Sequence, residues 1–448
     1  MSVQNRNIGN VRGRRQQLLK LAGKIMLGMG LVMTTGTIIS FYLLKRWILK
    51  QRDDMIQLQR MQQQISGRFT QTSKDTGHTV SELVPVLGMI LNKHGLDLDQ
   101  LFQTLKSKSK INPDNGAPQD NNNTSSKVQL WEDLKLKSLV KLVTTIYTLS
   151  TLYLLLTLQL NILARRDYLE TAIKEAIEKE SGSGSISIGG VYKWIKGKCW
   201  NTMEDPISQT DETKQMGRDK ITYINEQGFL SMSWWLLNRG WEQYYQLVEN
   251  IVSVEFNDLT VRDKVTKQEF EQRLRRVFND INGMLIGGSS SNDDSAIEKE
   301  PLIVLEEVIL PDETMEAYTL LQTLDDDSMA FLYDDTNRVI ISQLLSETRS
   351  YIQMNSSHAV MNAMIAAAVN TIINSVNTNI DVKSKNPVLE QDQIDPNTYP
   401  IAMFTLSVKD YCSQLLSSRD SVNVTMEAMV HTKELDEFAS GVYCNFEI

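Results

Sequence analysis

Few residues of this chain have the type and spacing that catalysis or metal binding needs. The sequence lacks the H-E-x-x-H pattern of zinc hydrolases, the Walker A phosphate loop and the G-x-S-x-G serine elbow. Its four histidines are scattered, and we identify no carboxylate or cysteine at metal-ligand spacing from any of them: His78, His94, His358 and His431. We therefore predict no catalytic residues, no metal site and no cofactor.

Three further patterns resemble ligand sites but have simpler interpretations. Gly28-x-Gly30 lies inside an apolar run, where small residues help helices to pack, and Gly182-x-Gly184 belongs to a Gly/Ser loop. The acidic triplet Asp325–Asp327 could hold a cation, but it is more typical of a solvated loop. Three widely separated cysteines do not form a disulfide framework and favour a reducing compartment: Cys199, Cys412 and Cys444.

One segment indicates binding rather than catalysis. Trp131 begins the run Trp-Glu-Asp-Leu-Lys, and Lys127 lies one helical turn earlier on the same face. Tryptophan is enriched at interaction hot spots because it buries a large apolar area and keeps a polar N–H. An equally good interpretation is that Trp131 fills its own hydrophobic core, so the local sequence leaves both open.

The element that carries Trp131 is predicted to be a very long helix. Ser126 to Gln129 fits a capping box, and the helical pattern continues to about Glu180. Within it, Leu142 to Ala164 is 23 residues without a charge, which is long enough for a membrane span. Many Thr and Ser residues in this stretch favour the alternative, a central core helix covered by other helices.

A stronger candidate for a membrane helix lies near the N-terminus. Ile25 to Leu44 is twenty uncharged residues, about 30 Å of helix. Trp47 and basic residues follow it, as in an interface anchor, and its length exceeds that of a cleaved signal. Both flanks are basic, so charge alone does not decide its orientation. The preceding basic segment includes Arg12, Arg14, Arg15 and Lys20.

Charge divides the chain sharply. Residues 1–68 contain twelve Lys/Arg and two acidic residues, a net +10, so the total of −9 leaves −19 for the remainder. The basic part suits anionic lipid headgroups. The acidic remainder argues against nucleic acid, because neutralising phosphates requires clustered Lys and Arg.

These features predict an all-α protein: a basic segment 1–24, a single transmembrane helix 25–44, a helical linker 45–67 and a helical bundle 68–448 around one very long central helix. Low proline (9) and glycine (23) support this class. We expect an acidic solvated face over 298–335. Predicted helices span Ile224 to Glu249, Thr266 to Met284 and Val339 to Val376, and two more begin near Ile401 and Leu435. Flexible loops are predicted near 107–125, 181–220, 283–300 and 381–398.

Several segments resemble the peroxin-3 (peroxisomal biogenesis factor 3) family, in its fungal branch. They are Leu130 to Lys135, Leu158 to Ile162, Tyr223 to Gln227, Ser233 to Leu236 and Asp436 to Tyr443. The basic N-terminus and the single anchor also fit the resemblance, which covers nearly the whole chain.

The resemblance implies a receptor on the peroxisomal membrane for peroxin-19, the soluble chaperone of new peroxisomal membrane proteins. The partner's N-terminal helix would lie in a groove formed by Trp131, Lys127, Leu105 and Leu134. The N-terminus would face the lumen and the bundle the cytosol, with Arg12 to Lys24 part of a targeting signal. Peroxisomal lipids, organelle-inheritance factors and pexophagy adaptors are further implied partners.

Two alternatives from other classes remain. A lipid-binding bundle would account for the apolar stretch from Leu142 to Ala164. A structural tether without a role in import would leave membrane-protein import unchanged when Trp131 is lost.

Overall fold

The computed structural model of the chain describes residues 45–46, 55, 59, 62–110, 121–181, 212–286, 303–333, 335–384, 397–417 and 423–445. It divides into two compact units, Met1–Arg68 and Phe69–Ile448. The predicted targeting segment, the anchor from Ile25 to Leu44 and Trp47 lie outside the described residues. The site considered below belongs to the second unit.

Helices make up nearly all of the described chain, which confirms the predicted all-α bundle with one very long helix. The elements follow in this order: α1 (62–91), α2 (Leu98–Lys110), α3 (Asn121–Ser181), α4 (Glu212–Ser231), α5 (Trp241–Phe256), β1 (Lys264–Thr266), α6 (Lys267–Ile286), α7 (Leu305–Ile309), α8 (Glu313–Thr323), α9 (Asp326–Leu332), α10 (Asp335–Ile352), α11 (Asn355–Ser384), β2 (Thr398–Pro400), α12 (Ile401–Ser417), α13 (Val424–Val430) and α14 (Lys433–Cys444).

The central helix α3 is the axis of the bundle. It begins at Asn121, ahead of the predicted capping box at Ser126, and ends at Ser181. α5, α11, α12 and α14 pack against it, so that every side chain over residues 138–159 is buried. The apolar stretch from Leu142 is therefore a core helix in this structure, as the sequence favoured.

The hydroxyl groups of α3 are largely satisfied within the helix itself. Thr145, Thr148, Ser150 and Thr151 each donate to the carbonyl oxygen four residues earlier, at 2.7 to 2.9 Å. Membrane helices accommodate Ser and Thr by the same back-bonding. The number of Ser and Thr residues is therefore a weak argument against a membrane span. The neighbouring helices that cover this part of α3 are the stronger argument.

A few longer side chains connect α3 to its neighbours. The Tyr147 hydroxyl lies 2.6 Å from Asn282 Oδ1 and donates to the Phe278 carbonyl at 3.1 Å on α6. The Gln159 amide donates to the Phe229 carbonyl of α4 at 2.6 Å. Such bonds between specific partners fix how α3 is rotated within an otherwise apolar core.

The helix predicted from Ile224 to Glu249 is interrupted, although nearly all of its residues are helical. α4 ends at Ser231, and a short helical turn, Ser233–Trp235, leads into a π-helical turn, Leu236–Gly240, before α5 begins. The wide turn brings Gly240 against α7: a Cβ on this glycine would lie 2.0 Å from the Val308 carbonyl oxygen. Helical periodicity continues through such a turn, so the sequence pattern does not reveal it.

Other boundaries also differ from the predictions. The helix predicted from Val339 to Val376 is divided between α10 and α11, where the Ser357 hydroxyl donates to the Tyr351 carbonyl at 2.6 Å. A third short helix, α13, lies between the two predicted C-terminal ones. β1 and β2 form an unpredicted antiparallel ladder that pairs Val265 with Tyr399.

The helices extend into the ends of the four predicted loop segments. Residues 107–110, 121–125, 212–220, 283–286 and 381–384 are all helical. Residues 397–398, at the end of the last segment, lead into β2. Apart from Ser181, which ends α3, the remaining residues of the four segments lie outside the described part of the chain.

The acidic segment is more structured than a solvated face. Residues 303–333 form the three short helices α7, α8 and α9. Glu316 is buried rather than solvated, and its two carboxylate oxygens accept hydrogen bonds from Arg338 at 2.9 Å and Arg349 at 2.8 Å. No local spacing indicates this pairing, because both arginines lie on α10, beyond the segment.

Candidate functional site

Trp131 lies near the start of α3 and is half-buried. It packs against the main hydrophobic core, yet part of its ring stays accessible. The indole thus supports the core, as one of the two interpretations had it, while its accessible part leaves the binding interpretation as a prediction. This arrangement suits an interaction hot spot, because an anchored side chain loses little freedom on binding.

The other three predicted groove residues lie at different depths. Lys127 is half-buried on the same helix. Leu105 of α2 is buried at 5% exposure, and Leu134 is fully buried at 0%. Leu105 and Leu134 are therefore core residues in this structure, whereas Trp131 and Lys127 are partly accessible.

Helix α2 is held beside the first half of α3. The Lys141 ammonium donates to Asn92 Oδ1 at 2.6 Å and to the Leu96 carbonyl at 2.9 Å, just before α2 begins. From Leu98 onward α2 packs against α3. That the two predicted groove residues, Leu105 on α2 and Trp131 on α3, share one surface stays a prediction.

Two charged residues of the Trp-Glu-Asp-Leu-Lys run have a structural role that the sequence analysis missed. Lys135 is buried, lies 2.6 Å from Glu132, and donates to the carbonyls of Phe256 (at 3.1 Å) and Leu259 after α5. Glu132 accepts a hydrogen bond from the Val261 N–H at 3.0 Å. These contacts, termed the α3–α5 clamp, fix the site to the end of α5. The opposite charges three residues apart were the available signal.

Helix α12 holds the other side of α2. The Lys409 ammonium lies 2.5 Å from Asp99 and 5.3 Å from the centre of the Phe102 ring. Lys106 lies over the same ring at 5.8 Å. The half-buried Phe102 thus lies near two cations, and α2 has contacts to both α3 and α12. Cation–π contacts of this kind add modestly to the packing.

A small polar cluster is buried beneath α2. Burial lowers the pKa of Lys141 from its ordinary value, although the nearby Cys412, Asp97 and Asp99 act in the opposite direction. Burial also raises the pKa of the Cys412 thiol to about 12, despite Lys141 and Lys409 nearby. This cysteine is therefore an inert core residue rather than a nucleophile.

The burial of Cys412 predicts selective labelling. At pH 8 a maleimide should modify the exposed Cys444 and leave Cys412 unmodified, because Cys412 is inaccessible and carries almost no thiolate. Peptide mass spectrometry after short pulses in increasing urea should show Cys412 reacting only as the bundle unfolds. Equal labelling of both residues in the native chain would contradict the packing of α12 on α3.

The histidines show no cluster in the structure. The sequence analysis overlooked Glu82, one turn after His78, but the pair is 3.7 Å apart and largely exposed. Burial lowers the pKa of His358. Among the described residues no group of three or more His, Cys, Asp or Glu side chains could hold a metal ion.

Two helices within the described ranges are long and apolar enough to cross a membrane. One is the part of α3 over Lys127–Ala172, whose most apolar window is entirely buried in the protein. The other is α11, Asn355–Ser384, with half of its window buried. Core helices pass the same test of length and composition, and both belong to the packed core described above.

Comparison with known proteins identifies the family. The sequence model of the Peroxin-3 family matches residues 28–124 and 111–445, most of the chain. The chain belongs to the peroxin-3 family. Peroxisomal biogenesis factor 3 of Saccharomyces cerevisiae is 32% identical, with 97% of each chain covered. The protein of the same name from Kluyveromyces lactis is also 32% identical, over 91% of this chain and 93% of the relative.

Peroxin-3 membership places the chain among the peroxisome biogenesis factors, a family named for organelle formation rather than for a catalysed reaction. A relative from Komagataella phaffii, 26% identical over 86% of this chain and 89% of its own length, is named peroxisomal membrane protein PEX3. The peroxin-3 resemblance of the Trp131 segment is thus confirmed for the whole chain, and the matched ranges include both α2 and the start of α3.

Proposed function

We propose that the protein is a receptor on the peroxisomal membrane that docks cargo-loaded peroxin-19. The observation that carries this proposal is the half-buried, partly accessible Trp131 at the start of α3, in a chain of the peroxin-3 family. A biogenesis factor without a catalytic cluster among its described residues is suited to binding. Docking would bring newly made membrane proteins to the bilayer into which they insert.

The physical mode is a helix lying in a shallow groove. An amphipathic helix of the partner would place apolar side chains on Trp131, over the level of Leu105 and Leu134. Lys127, at the rim, would favour acidic groups on the partner. Because the α3–α5 clamp holds the backbone around Glu132 and Lys135, the receiving surface needs little rearrangement.

The proposed membrane arrangement combines the sequence features of the N-terminus with the orientation that the family resemblance implies. The helix from Ile25 to Leu44, with Trp47 at its interface, would be the single anchor, in contact with peroxisomal lipids. The segment containing Arg12, Arg14, Arg15 and Lys20 would face the lumen as part of the targeting signal. The acidic bundle would then face the cytosol, where soluble peroxin-19 is encountered.

The Trp131→Ala variant tests the docking proposal. Full-length chain in detergent micelles is titrated with peroxin-19 by calorimetry, and we expect the affinity to fall by at least about 2 kcal/mol, roughly thirtyfold, as for a hot-spot tryptophan. Tyr223→Ala, which removes an aromatic ring that is 59% exposed on α4, is the control and should bind normally. Unchanged affinity for Trp131→Ala, with the circular dichroism spectrum intact, would refute the assignment.

The two alternative functions differ in their support. Lipid binding by the stretch from Leu142 loses its motivation, because neighbouring helices cover that part of α3 on all sides. Tethering of inheritance factors or pexophagy adaptors stays an expectation from the family resemblance. Normal import of membrane proteins in cells that carry Trp131→Ala would favour the tether.

A further inference from the structure

The outward face of α8 is apolar while its inward face carries a charge, the reverse of an ordinary surface helix. Met315, Tyr318 and Leu321 stand at intervals of three residues and are 38%, 36% and 49% exposed. The inward side holds the buried Glu316 together with Thr319 and Leu320. A helix oriented in this way leaves a stripe of large apolar groups in water.

Ion pairs explain why α8 does not rotate to hide this stripe. Glu316 is bound by Arg338 and Arg349, and Arg349 also donates to the Pro311 carbonyl at 3.0 Å. Rotating α8 would leave this buried carboxylate without its partners, which is strongly unfavourable. The exposed orientation is therefore fixed by the interior, and the stripe remains available for contact.

A tryptophan from the neighbouring turn extends the stripe. The half-buried Trp234 packs edge-on against Tyr318, with ring centres 6.2 Å apart. We call Trp234, Met315, Tyr318 and Leu321 the α8 patch. Trp, Tyr and Met are the residues most enriched in the cores of protein interfaces. Contiguous exposed apolar groups of this kind mark interaction sites more often than solvated surface.

The surroundings of the α8 patch are strongly acidic. No Lys or Arg occurs in the sequence between Lys299 and Arg338, and Arg338 is already bound to Glu316. The pKa of the Asp325 carboxyl group is lowered mainly by its hydrogen bond to Ser328. Lys220 of α4 lies close enough to contribute to this lowering. The exposed acidic residues of α7 to α9 and their caps are Glu307, Asp312, Glu313, Asp325, Asp326 and Asp327.

We propose that the α8 patch docks a basic amphipathic helix from a partner protein. Apolar side chains one turn apart would cover Met315, Tyr318 and Leu321, while Lys or Arg side chains would meet the acidic rim. Anionic lipid headgroups would be repelled by this rim. A second copy of the bundle fits poorly, because residues 69–448 carry a net charge of −19. The site is separate from Trp131 and does not depend on the docking of peroxin-19.

Site-specific cross-linking identifies what binds the α8 patch. Tyr318 is replaced by p-benzoylphenylalanine in the full-length chain on its own membrane, and the cross-linked peptides are sequenced by mass spectrometry. The matched control carries the same group at Val254, which is 83% exposed on α5. We expect a protein segment with net positive charge and apolar residues at helical spacing. Lipid adducts, a second copy, an acidic segment or no product above the control would each overturn the proposal.

A synthetic peptide of the captured segment then tests the contribution of individual side chains. Met315→Ser and Tyr318→Ser should each weaken its binding to the full-length chain at least tenfold, while Val254→Ser should leave it unchanged. The combined Asp325→Asn and Asp326→Asn variant should reduce the dependence of affinity on salt. Met315 and Tyr318 are only partly exposed, so the thermal midpoint of every variant is measured as well, and affinities are compared at a temperature at which all variants are folded. Equal affinity for the three serine variants would contradict the proposal.

Discussion

The Gly240→Ala variant is expected to unfold at a markedly lower denaturant concentration than the wild type, with a loss of about 3 kcal/mol. The added Cβ would lie 2.0 Å from the carbonyl oxygen of Val308 and 3.0 Å from its carbonyl carbon. Both are backbone atoms of α7, so no side-chain rotation can relieve the clash. The turn Leu236–Gly240 would have to separate from α7, which would also strain the bond from Trp235 Nε1 to the Glu307 carbonyl, 3.1 Å.

Gly283→Ala is the matched control for this prediction. Gly283 lies within α6, and a Cβ there would meet no atom within 4 Å. Since alanine has the higher helix propensity, this variant should be neutral or slightly more stable. The unfolding midpoints of both variants are measured by urea denaturation of the full-length chain, monitored by circular dichroism. If the unfolding midpoint of Gly240→Ala equalled that of Gly283→Ala, α7 would not be packed tightly against the turn.

The Arg165→Met variant is expected to destabilise the bundle by roughly 3 to 5 kcal/mol, the usual cost of removing one partner from a buried ion pair. Arg165 is 2% exposed and binds Glu347. It also donates to the carbonyls of Val442 at 3.1 Å and Asn445 at 2.8 Å, at the end of α14. Methionine fills much of the volume but leaves the carboxylate and both carbonyl oxygens without this partner.

A second substitution separates the charge effect from lost packing. Adding Glu347→Leu to Arg165→Met removes the isolated carboxylate and should recover about half of the lost stability. Lys433→Met breaks a pair with Glu437 that is almost fully solvated, and its unfolding midpoint should match the wild type. If the double variant were no more stable than Arg165→Met alone, the carboxylate would not be the main source of the destabilisation.

Local sequence patterns predicted the elements that are apolar over a long run or that bury one regular face. The uncharged stretch from Leu142 indicated the central helix, and in the C-terminal helix predicted near Leu435 the residues Leu435, Phe438 and Val442 are buried on one face. The sequence pattern does not reveal the break at Leu236–Gly240, because apolar residues continue at nearly helical intervals through a π-helical turn. The end of α10 at Ile352 likewise depends on how Ser357 bonds across the turn.

The candidate site was predictable only where its residues are close in sequence. Trp131 and Lys127 were found because one turn of a helix places them together. The clamp formed by Glu132 and Lys135 uses partners more than a hundred residues away, around Val261, and no local spacing encodes such pairing. Glu316 was expected to be solvated for the same reason: the arginines that neutralise it lie on another helix.

The burial of α3 over residues 138–159 has a consequence for the synthesis of the chain. This helix has the length and composition of a membrane span, and its hydroxyls need no neighbour for their hydrogen bonds. Two of the helices that cover it, α12 and α14, follow it in the chain and are synthesised after it. Until they emerge, a nearby bilayer competes with the unfinished bundle for α3. Folding of the bundle before it meets a membrane therefore keeps α3 out of the bilayer.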